Sequence, residues 1–178
     1  HLRPRRQRQM CIRDSDKEKV HVLDGGFYKW KNEKRKISTN NEIIQISNYI
    51  AKENIKMVKS KEQVDSNISL NEFNLVDARS RDRFDGNTPD PRKNVKSGSI
   101  PNSVCLPFKT LINDNYTFKN KAEISKHFKE LSLNDDINVV FSCGSGITAC
   151  VLALAYSLVN NKYLPVIYDG SWAEYGKI

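Results

Sequence analysis

Short apolar segments of strand character alternate with helical segments from residue 55 to the end of the 178-residue chain. Strands are predicted at 55–58, 73–77, 104–108, 137–142 and 165–168, and helices at 61–68, 79–84, 121–131 and 147–159. Strands that alternate with helices at such short intervals predict an α/β domain, with a mostly parallel central sheet flanked by helices. In sheets of this kind, ligands bind at the carboxyl ends of the strands.

A short motif occurs twice and bears on the domain organisation. Asp24-Gly-Gly-Phe-Tyr-Lys-Trp30 and Asp169-Gly-Ser-Trp-Ala-Glu-Tyr175 share the pattern Asp-Gly-small-aromatic-x-x-aromatic, and each follows a short apolar segment predicted as a strand (20–23 and 165–168). A whole domain precedes the second copy, whereas only a few residues precede the first. The repeat therefore predicts that residues 16–36 are the C-terminal remnant of a first domain of the same type, that 37–54 form an interdomain linker, and that 55–178 form a complete domain.

The net charge of +8 is unevenly distributed along the chain. Residues 1–15 contain five Arg and one Asp without helical or strand periodicity, and carry half of that charge. Such a segment could bind nucleic acid or act as an Arg-rich transit peptide, but it also resembles translated adapter sequence. We treat residues 1–15 as a non-native or disordered basic arm. Elsewhere Lys alternates with Glu and Asp, which is typical of a solvated surface, so no nucleic-acid partner is expected. No apolar run approaches the roughly 18 residues that span a bilayer, so no membrane partner is expected either.

The segment most suggestive of chemistry follows the predicted strand 137–142. It reads Cys143-Gly144-Ser145-Gly146-Ile147-Thr148 and leads into an apolar helix that is predicted to be buried. A strand, a glycine-bearing loop and a helix N-terminus form an anion site, because unpaired backbone N–H groups point into the loop. These N–H groups would stabilise a thiolate at Cys143, while Ser145 and Thr148 add hydroxyl donors. The pattern predicts a nucleophilic cysteine that carries a negatively charged adduct; a buried structural cysteine is the alternative.

Two other chemistries fit this chain less well. Cysteine phosphatases need an arginine six positions after the nucleophile, and Ala149 stands there. The three histidines are not spaced near a cysteine as metal ligands, so no metal and no other cofactor is predicted. Cys105 and Cys150 are predicted to be small buried core residues.

The loop 143–148, together with Val76-Asp-Ala-Arg79, Gly98-Ser-Ile-Pro101 and Tyr168-Asp-Gly-Ser-Trp172, resembles the C-terminal, catalytic rhodanese domain of 3-mercaptopyruvate sulfurtransferases. The resemblance covers residues 55–178 and implies a rhodanese-like fold. It also implies that the missing first rhodanese domain packs against this one.

The resemblance further implies the roles of individual residues. Cys143 and Ser145 are the catalytic residues, and the substrate-binding residues are Arg83, Arg92, Gly144, Gly146, Ile147 and Thr148. Arg83 and Arg92 occupy the positions that clamp the substrate carboxylate, since guanidinium groups pair bidentately with carboxylates. A salt bridge from Arg83 to an acid such as Asp82 or Asp85 is the structural alternative. Arg79 is expected to brace the domain.

The implied function is transfer of sulfane sulfur from 3-mercaptopyruvate, through a Cys143 persulfide, to a thiol acceptor such as thioredoxin or to cyanide, with release of pyruvate. The neutral Gly144 and Ser145 favour this substrate, because thiosulfate sulfurtransferases resemble this chain but carry basic residues there. Thiosulfate sulfurtransfer remains one alternative, and a catalytically silent docking or sulfur-carrier module is another. The expected compartment is cytoplasmic, with mitochondria possible in a eukaryote.

Overall fold

The computed structural model describes residues 21–40 and 54–178, and these residues fall into two compact units. Residues 21–40, 54–55 and 114–117 belong to the first unit, and residues 56–113 and 118–178 belong to the second. The one helix described in the first unit is α1 (Gly26–Asn32), which follows Gly25 in the left-handed region at φ 87°. The indole Nε1 of Trp30, within this helix, donates a hydrogen bond to the carbonyl of Lys36, which follows the helix, at 3.0 Å.

The second unit contains the α/β architecture that the sequence predicts. Its strands are β1 (Val58–Lys59), β2 (Phe73–Asp77), β3 (Ser103–Cys105), β4 (Asn138–Ser142) and β5 (Val166–Tyr168). Its helices are α2 (Lys61–Leu70), α3 (Arg81–Phe84), α4 (Lys121–Lys129), α5 (Ala149–Val159) and α6 (Ser171–Tyr175). Two 3-10 turns span Ile55–Met57 and Phe108–Leu111. Within the described residues the strands form one sheet in the order β1-β5-β4-β2-β3, and every pairing is parallel.

The pleat of the sheet divides the core into two layers. Val139 and Phe141 of β4 face the layer that contains α4 and α5, whereas Val140 faces the layer that contains α2 and α6. Successive side chains of a strand point to opposite faces, so a strand buried on both faces is apolar throughout. This accounts for the apolar centres of two interior strands of the sheet, Leu75-Val76 in β2 and Val139-Val140-Phe141 in β4.

Local sequence signals fix the starts of two helices. Ser60 accepts a hydrogen bond from the backbone of Gln63, and the Gln63 side chain accepts one from the backbone of Ser60, which forms a capping box at α2. Asn120 and Glu123 form the same arrangement at α4. Each box satisfies backbone N–H groups that have no partner within the helix.

Several predicted elements differ from the observed ones. Residues 21–23, predicted as part of a strand, are irregular, and Val22 and Leu23 are exposed; residue 20 lies outside the described residues, as do residues 41–53 of the predicted linker. The predicted strand 55–58 is mostly a 3-10 turn. The predicted strand 104–108 ends at Cys105, since Pro107 has no N–H to continue it and a 3-10 turn follows.

The predicted helix 147–159 begins two residues later, at Ala149, because Ile147 and Thr148 complete the preceding loop. Cys150 is exposed, so the prediction that it is a buried core residue is wrong. Ala149, Leu152 and Ala153 face the core, and Cys150 lies on the outer side of the first turn, where its thiol donates to the carbonyl of Gly146 at 3.3 Å.

Candidate active site

The loop 143–148 begins where β4 ends, beside the ends of two neighbouring strands. Asp77 of β2 lies in register with Ser142 of β4 and with Cys105 of β3. The sheet therefore brings together the residues that follow β2 and β4, as expected for the carboxyl edge of a parallel sheet. Cys143 is the first residue past β4, and 2% of its surface is exposed.

Helix α6 holds the first two residues of this loop by their backbone groups. The amide of Cys143 donates to Oγ of Ser171 at 3.1 Å, and that hydroxyl donates to the carbonyl of Tyr168 at 2.9 Å. In the opposite direction, the amides of Trp172 and Ala173 donate to the carbonyls of Cys143 and Gly144 at 2.9 and 3.0 Å. Both carbonyls therefore point toward α6. Their negative ends are directed away from the sulfur, where they would oppose a thiolate.

One loop amide already points at the thiol. The backbone N–H of Ser145 donates to Sγ of Cys143 at 3.4 Å. Such a bond favours negative charge on sulfur, because an N–H donor stabilises a thiolate or a persulfide anion. Ser145 and Thr148 are half-buried, whereas Ile147 is exposed on the outer side of the loop.

Gly146 is the loop position that cannot carry a side chain. Its φ is 81°, and a Cβ built on it would lie 2.7 Å from Oδ1 and 2.8 Å from the backbone oxygen of Asp169. Both the backbone conformation and the close approach to the residue before α6 therefore require glycine here.

Two arginines lie beside the loop, as the sequence predicts. Arg83 belongs to α3, and Arg92 follows in the proline-rich segment. A Cβ built on Gly144 would lie 3.4 Å from Nη2 of Arg83 and 3.3 Å from Nη2 of Arg92. Both arginines lie between β2 and β3 in the sequence. The fold brings their guanidinium groups to Gly144, the residue next to Cys143. The Nε atom of Arg83 is buried and has no hydrogen-bond partner among the described residues.

Asp90, a residue that the sequence analysis did not single out, joins the two arginines. Its Oδ2 lies 2.6 Å from Nη2 of Arg83, and its Oδ1 lies 3.0 Å from Nη1 of Arg92 and 3.0 Å from the Arg92 amide. Its side chain is 1% exposed. Burial alone would raise the pKa of Asp90, but the hydrogen bonds from the Arg92 amide and the Arg83 guanidinium, with the charges of both arginines, outweigh it and lower that pKa.

Arg83 does form a salt bridge to an acid, but not to either of the two neighbours named in the alternative. A salt bridge to Asp82 or Asp85 was the alternative to substrate binding, yet Arg83 pairs with Asp90, seven residues along the chain. Asp85 instead lies 3.9 Å from Arg81, one helical turn earlier. The sequence signal for Asp90 was weak: an acidic residue between two prolines, two positions before an arginine.

Arg79 braces the domain, as expected. Its Nη2 lies 2.7 Å from Oδ2 of the buried Asp77 and donates to the carbonyl of Gly98 at 2.8 Å. Its guanidinium also lies over the Trp172 ring, 4.7 Å from the centroid. Arg79 therefore connects β2, the segment before β3 and α6 beneath the candidate site.

The other cysteine close to the strand ends is chemically different from Cys143. Cys105 is buried, as predicted, and its thiol donates to the carbonyl of Arg79 at 3.4 Å. Burial raises the pKa of Cys105 to about 11. Cys105 therefore remains a neutral thiol at physiological pH and is unsuited to act as a nucleophile.

Two other kinds of feature, a metal-binding cluster and a membrane-spanning helix, are absent from the part of the chain that the structure describes. Over 21–40 and 54–178, no group of three or more His, Cys, Asp and Glu side chains is placed to hold a metal ion. No helix within those same ranges is long and apolar enough to cross a membrane.

The chain is similar in sequence to proteins named as sulfurtransferases. The 3-mercaptopyruvate sulfurtransferase of Mus musculus is 36% identical over 156 residues, which cover 88% of this chain and 52% of that protein. The mitochondrial thiosulfate/3-mercaptopyruvate sulfurtransferase 1 of Arabidopsis thaliana is 34% identical over 179 residues, covering 89% of this chain and 47% of that protein. The chain thus spans about half the length of these relatives.

Solved structures and a family model give the same result. SseA from Escherichia coli, whose structure is described as showing the rhodanese fold of 3-mercaptopyruvate sulfotransferases, superimposes with a TM-score of 0.77 at 26% identity. That match covers 93% of this chain and 61% of SseA. The family model of the rhodanese-like domain matches residues 60–177. This range includes strands β2 to β5, the Cys143 loop and both arginines. The chain therefore belongs to the rhodanese-like domain family.

Proposed function

We propose that the chain acts as a sulfurtransferase. It moves sulfane sulfur from 3-mercaptopyruvate to a thiol acceptor or to cyanide and releases pyruvate. The observation that carries this proposal is the convergence of Arg83 and Arg92 on Gly144, the neighbour of Cys143. An anionic group bound by both guanidiniums would lie next to the sulfur nucleophile. The names of the mouse and Arabidopsis relatives point to the same substrate class.

In the first half-reaction the Cys143 thiolate attacks the sulfur of 3-mercaptopyruvate. The new S–S bond forms as the C–S bond breaks, and the electron pair passes to the enolate of pyruvate, which then takes the thiol proton at carbon. Arg83 and Arg92 hold the substrate carboxylate during this step, so the leaving enolate stays oriented. Cys143 is left as a persulfide whose outer sulfur is anionic.

The loop stabilises that anion until an acceptor arrives. The Ser145 amide already donates to Sγ at 3.4 Å, and Ser145 and Thr148 each carry a hydroxyl within the same loop. A thiolate acceptor, for which thioredoxin is our candidate, or cyanide then attacks the outer sulfur. The S–S bond breaks and the Cys143 thiolate returns, which predicts ping-pong kinetics.

The test uses two cysteine variants of the full chain. Cys143→Ser should abolish pyruvate release and the persulfide mass increase on that peptide, whereas Cys150→Ser, which removes an exposed thiol one loop away, should retain both. Full pyruvate release from Cys143→Ser would refute the assignment. Assays with thiosulfate as donor distinguish the alternative substrate, and a chain that accepts no sulfur from either donor would be a docking module.

We also infer that residues 16–36 are the closing part of a preceding rhodanese-like domain, followed by a linker at 37–54, and that this preceding domain packs against residues 55–178. The two copies of the repeated motif support this inference, because each starts a short helix at the same aligned position. Gly26 and Ser171 occupy that position, and both have positive φ, 56° and 50°. The coding sequence upstream of residue 16 tests the inference, and an unrelated upstream sequence would contradict it. The compartment remains a prediction: cytoplasmic, or mitochondrial in a eukaryote.

A further inference from the structure

Asp90 is placed to control the charge of the anion site rather than only its shape. Among residues 21–40 and 54–178, it is the carboxylate bound to both Arg83 and Arg92, and its side chain is almost completely buried. It lies between Pro89 and Pro91, whose rings restrict the backbone on both sides. A buried, ionised carboxylate that touches two guanidiniums lowers their combined charge from two to one.

The geometry leaves part of the arginine pair available to an anion. Asp90 engages Nη2 of Arg83 and Nη1 of Arg92, while Nη2 of Arg92, which makes neither of these contacts, lies closest to Gly144. Asp90 thus fixes the orientation of both groups and removes one positive charge. The remaining charge of one matches a monocarboxylate, whereas a dianion such as thiosulfate would leave one negative charge unbalanced in a half-buried site.

We propose that Asp90 is a specificity-determining residue that makes the arginine pair selective for monocarboxylate sulfur donors over dianionic ones. This inference rests on the proposed function, because it names the substrate charge that the same site accepts. Asp90 acts through the arginines and need not touch the substrate.

The direct test compares Asp90→Asn with wild type on two donors. The amide keeps the size of the side chain but removes its charge. With cyanide as the common acceptor and thiocyanate as the readout, the ratio of kcat/KM for thiosulfate to that for 3-mercaptopyruvate should rise about tenfold or more. This size follows from Coulomb's law for one unit charge within about 8 Å at an effective dielectric constant near 20, less some screening.

Asp85→Asn is the matched control. It removes the same charge from an exposed carboxylate that pairs with Arg81 outside the site, and its donor ratio should stay at the wild-type value. Equal losses on both donors in Asp90→Asn would overturn the proposal and leave Asp90 as a mere brace. A similar ratio change in Asp85→Asn would also overturn it, because net charge alone would then explain the effect.

A binding measurement on the wild-type chain tests the charge selectivity of the site without relying on turnover. It remains informative if Asp90→Asn misfolds or if the chain turns over neither donor. Pyruvate should slow alkylation of Cys143 by iodoacetamide at concentrations at which sulfate does not. Equal or better protection by sulfate would overturn the charge selectivity. Absence of turnover together with selective protection by pyruvate would instead refute the proposed reaction and leave the role of Asp90 intact.

Discussion

Ser171 tests how the Cys143 loop is held, because its backbone conformation favours glycine whereas its hydrogen bonds require a hydroxyl side chain. Its φ of 50° suits glycine, which stands as Gly26 at the aligned position of the repeat, yet its buried hydroxyl accepts the Cys143 amide hydrogen and donates to the carbonyl of Tyr168. A residue chosen for its backbone alone would be glycine. We therefore expect the side chain of Ser171 to contribute both stability and alignment of the nucleophile.

The magnitudes follow from these two demands. Removing the hydroxyl leaves the buried Cys143 N–H without its partner, at a cost of about 1–3 kcal/mol. Ser171→Ala bears this cost in full, whereas Ser171→Gly recovers about 1 kcal/mol by relieving the left-handed conformation. Both variants should be less stable than wild type, and the glycine variant should be the more stable of the two.

The two variants should lose activity to the same extent, although they differ in stability. A nucleophile displaced by a fraction of an ångström to 1 Å loses about 10- to 100-fold in kcat. Urea unfolding followed by circular dichroism gives the stabilities, and pyruvate release from 3-mercaptopyruvate gives kcat. If Ser171→Gly matched or exceeded wild type in both stability and kcat, the hydroxyl would have no part in holding the loop and the reasoning would be refuted.

Three further perturbations test neighbouring parts of the site. Gly146→Ala should destabilise the domain by about 2 kcal/mol or more, since φ is 81° and its Cβ would lie 2.7 Å from Asp169; an unchanged urea midpoint would contradict this. Gly144→Ala should leave the free energy of unfolding within about 1 kcal/mol of wild type, because its Cβ meets only flexible guanidinium ends, but should lower kcat/KM for 3-mercaptopyruvate by occupying space beside the arginines; unchanged kcat/KM would show that the anion binds elsewhere. Asp90 should add an acid-sensitive component to stability: its pKa is lowered by folding, so its contribution is complete above the unfolded value of about 3.9 and is lost as the pH falls through the lower folded value. The free energy of unfolding of Asp90→Asn, measured with urea, should therefore decrease less below pH 4 than that of wild type. Identical pH profiles of the two proteins would exclude this linkage.

The sheet and the nucleophile loop could be predicted because their signals are local. Strand β2 was predicted with its observed bounds, because Phe73, Leu75 and Val76 form a short apolar segment and a helical segment follows. The loop 143–148 was recognisable because a strand, two glycines and an apolar helix occur in direct succession. The arginines were located by resemblance, and the structure brings them to Gly144.

Several incorrect or missing predictions depend on contacts between residues that are separated along the chain. Residues 21–23 have strand composition, but a strand requires a neighbour with which to pair, and none is found among the described residues. Cys150 looked buried because its helix is apolar on nearly every side, yet which side faces solvent is set by packing. Asp90 and Ser171 were missed because their roles depend on partners 7 and 28 residues away, which no local pattern reveals.

The central claim is that Cys143 carries sulfur between a donor and an acceptor. Mass spectrometry of the Cys143 peptide, after incubation of the chain with 3-mercaptopyruvate and removal of excess donor, tests it most directly. We predict the added mass of one sulfur atom on Cys143, lost again when a thiol acceptor is supplied, with release of one pyruvate for each sulfur bound. A Cys143 peptide of unchanged mass, or sulfur carried on Cys105 or Cys150 instead, would contradict the claim.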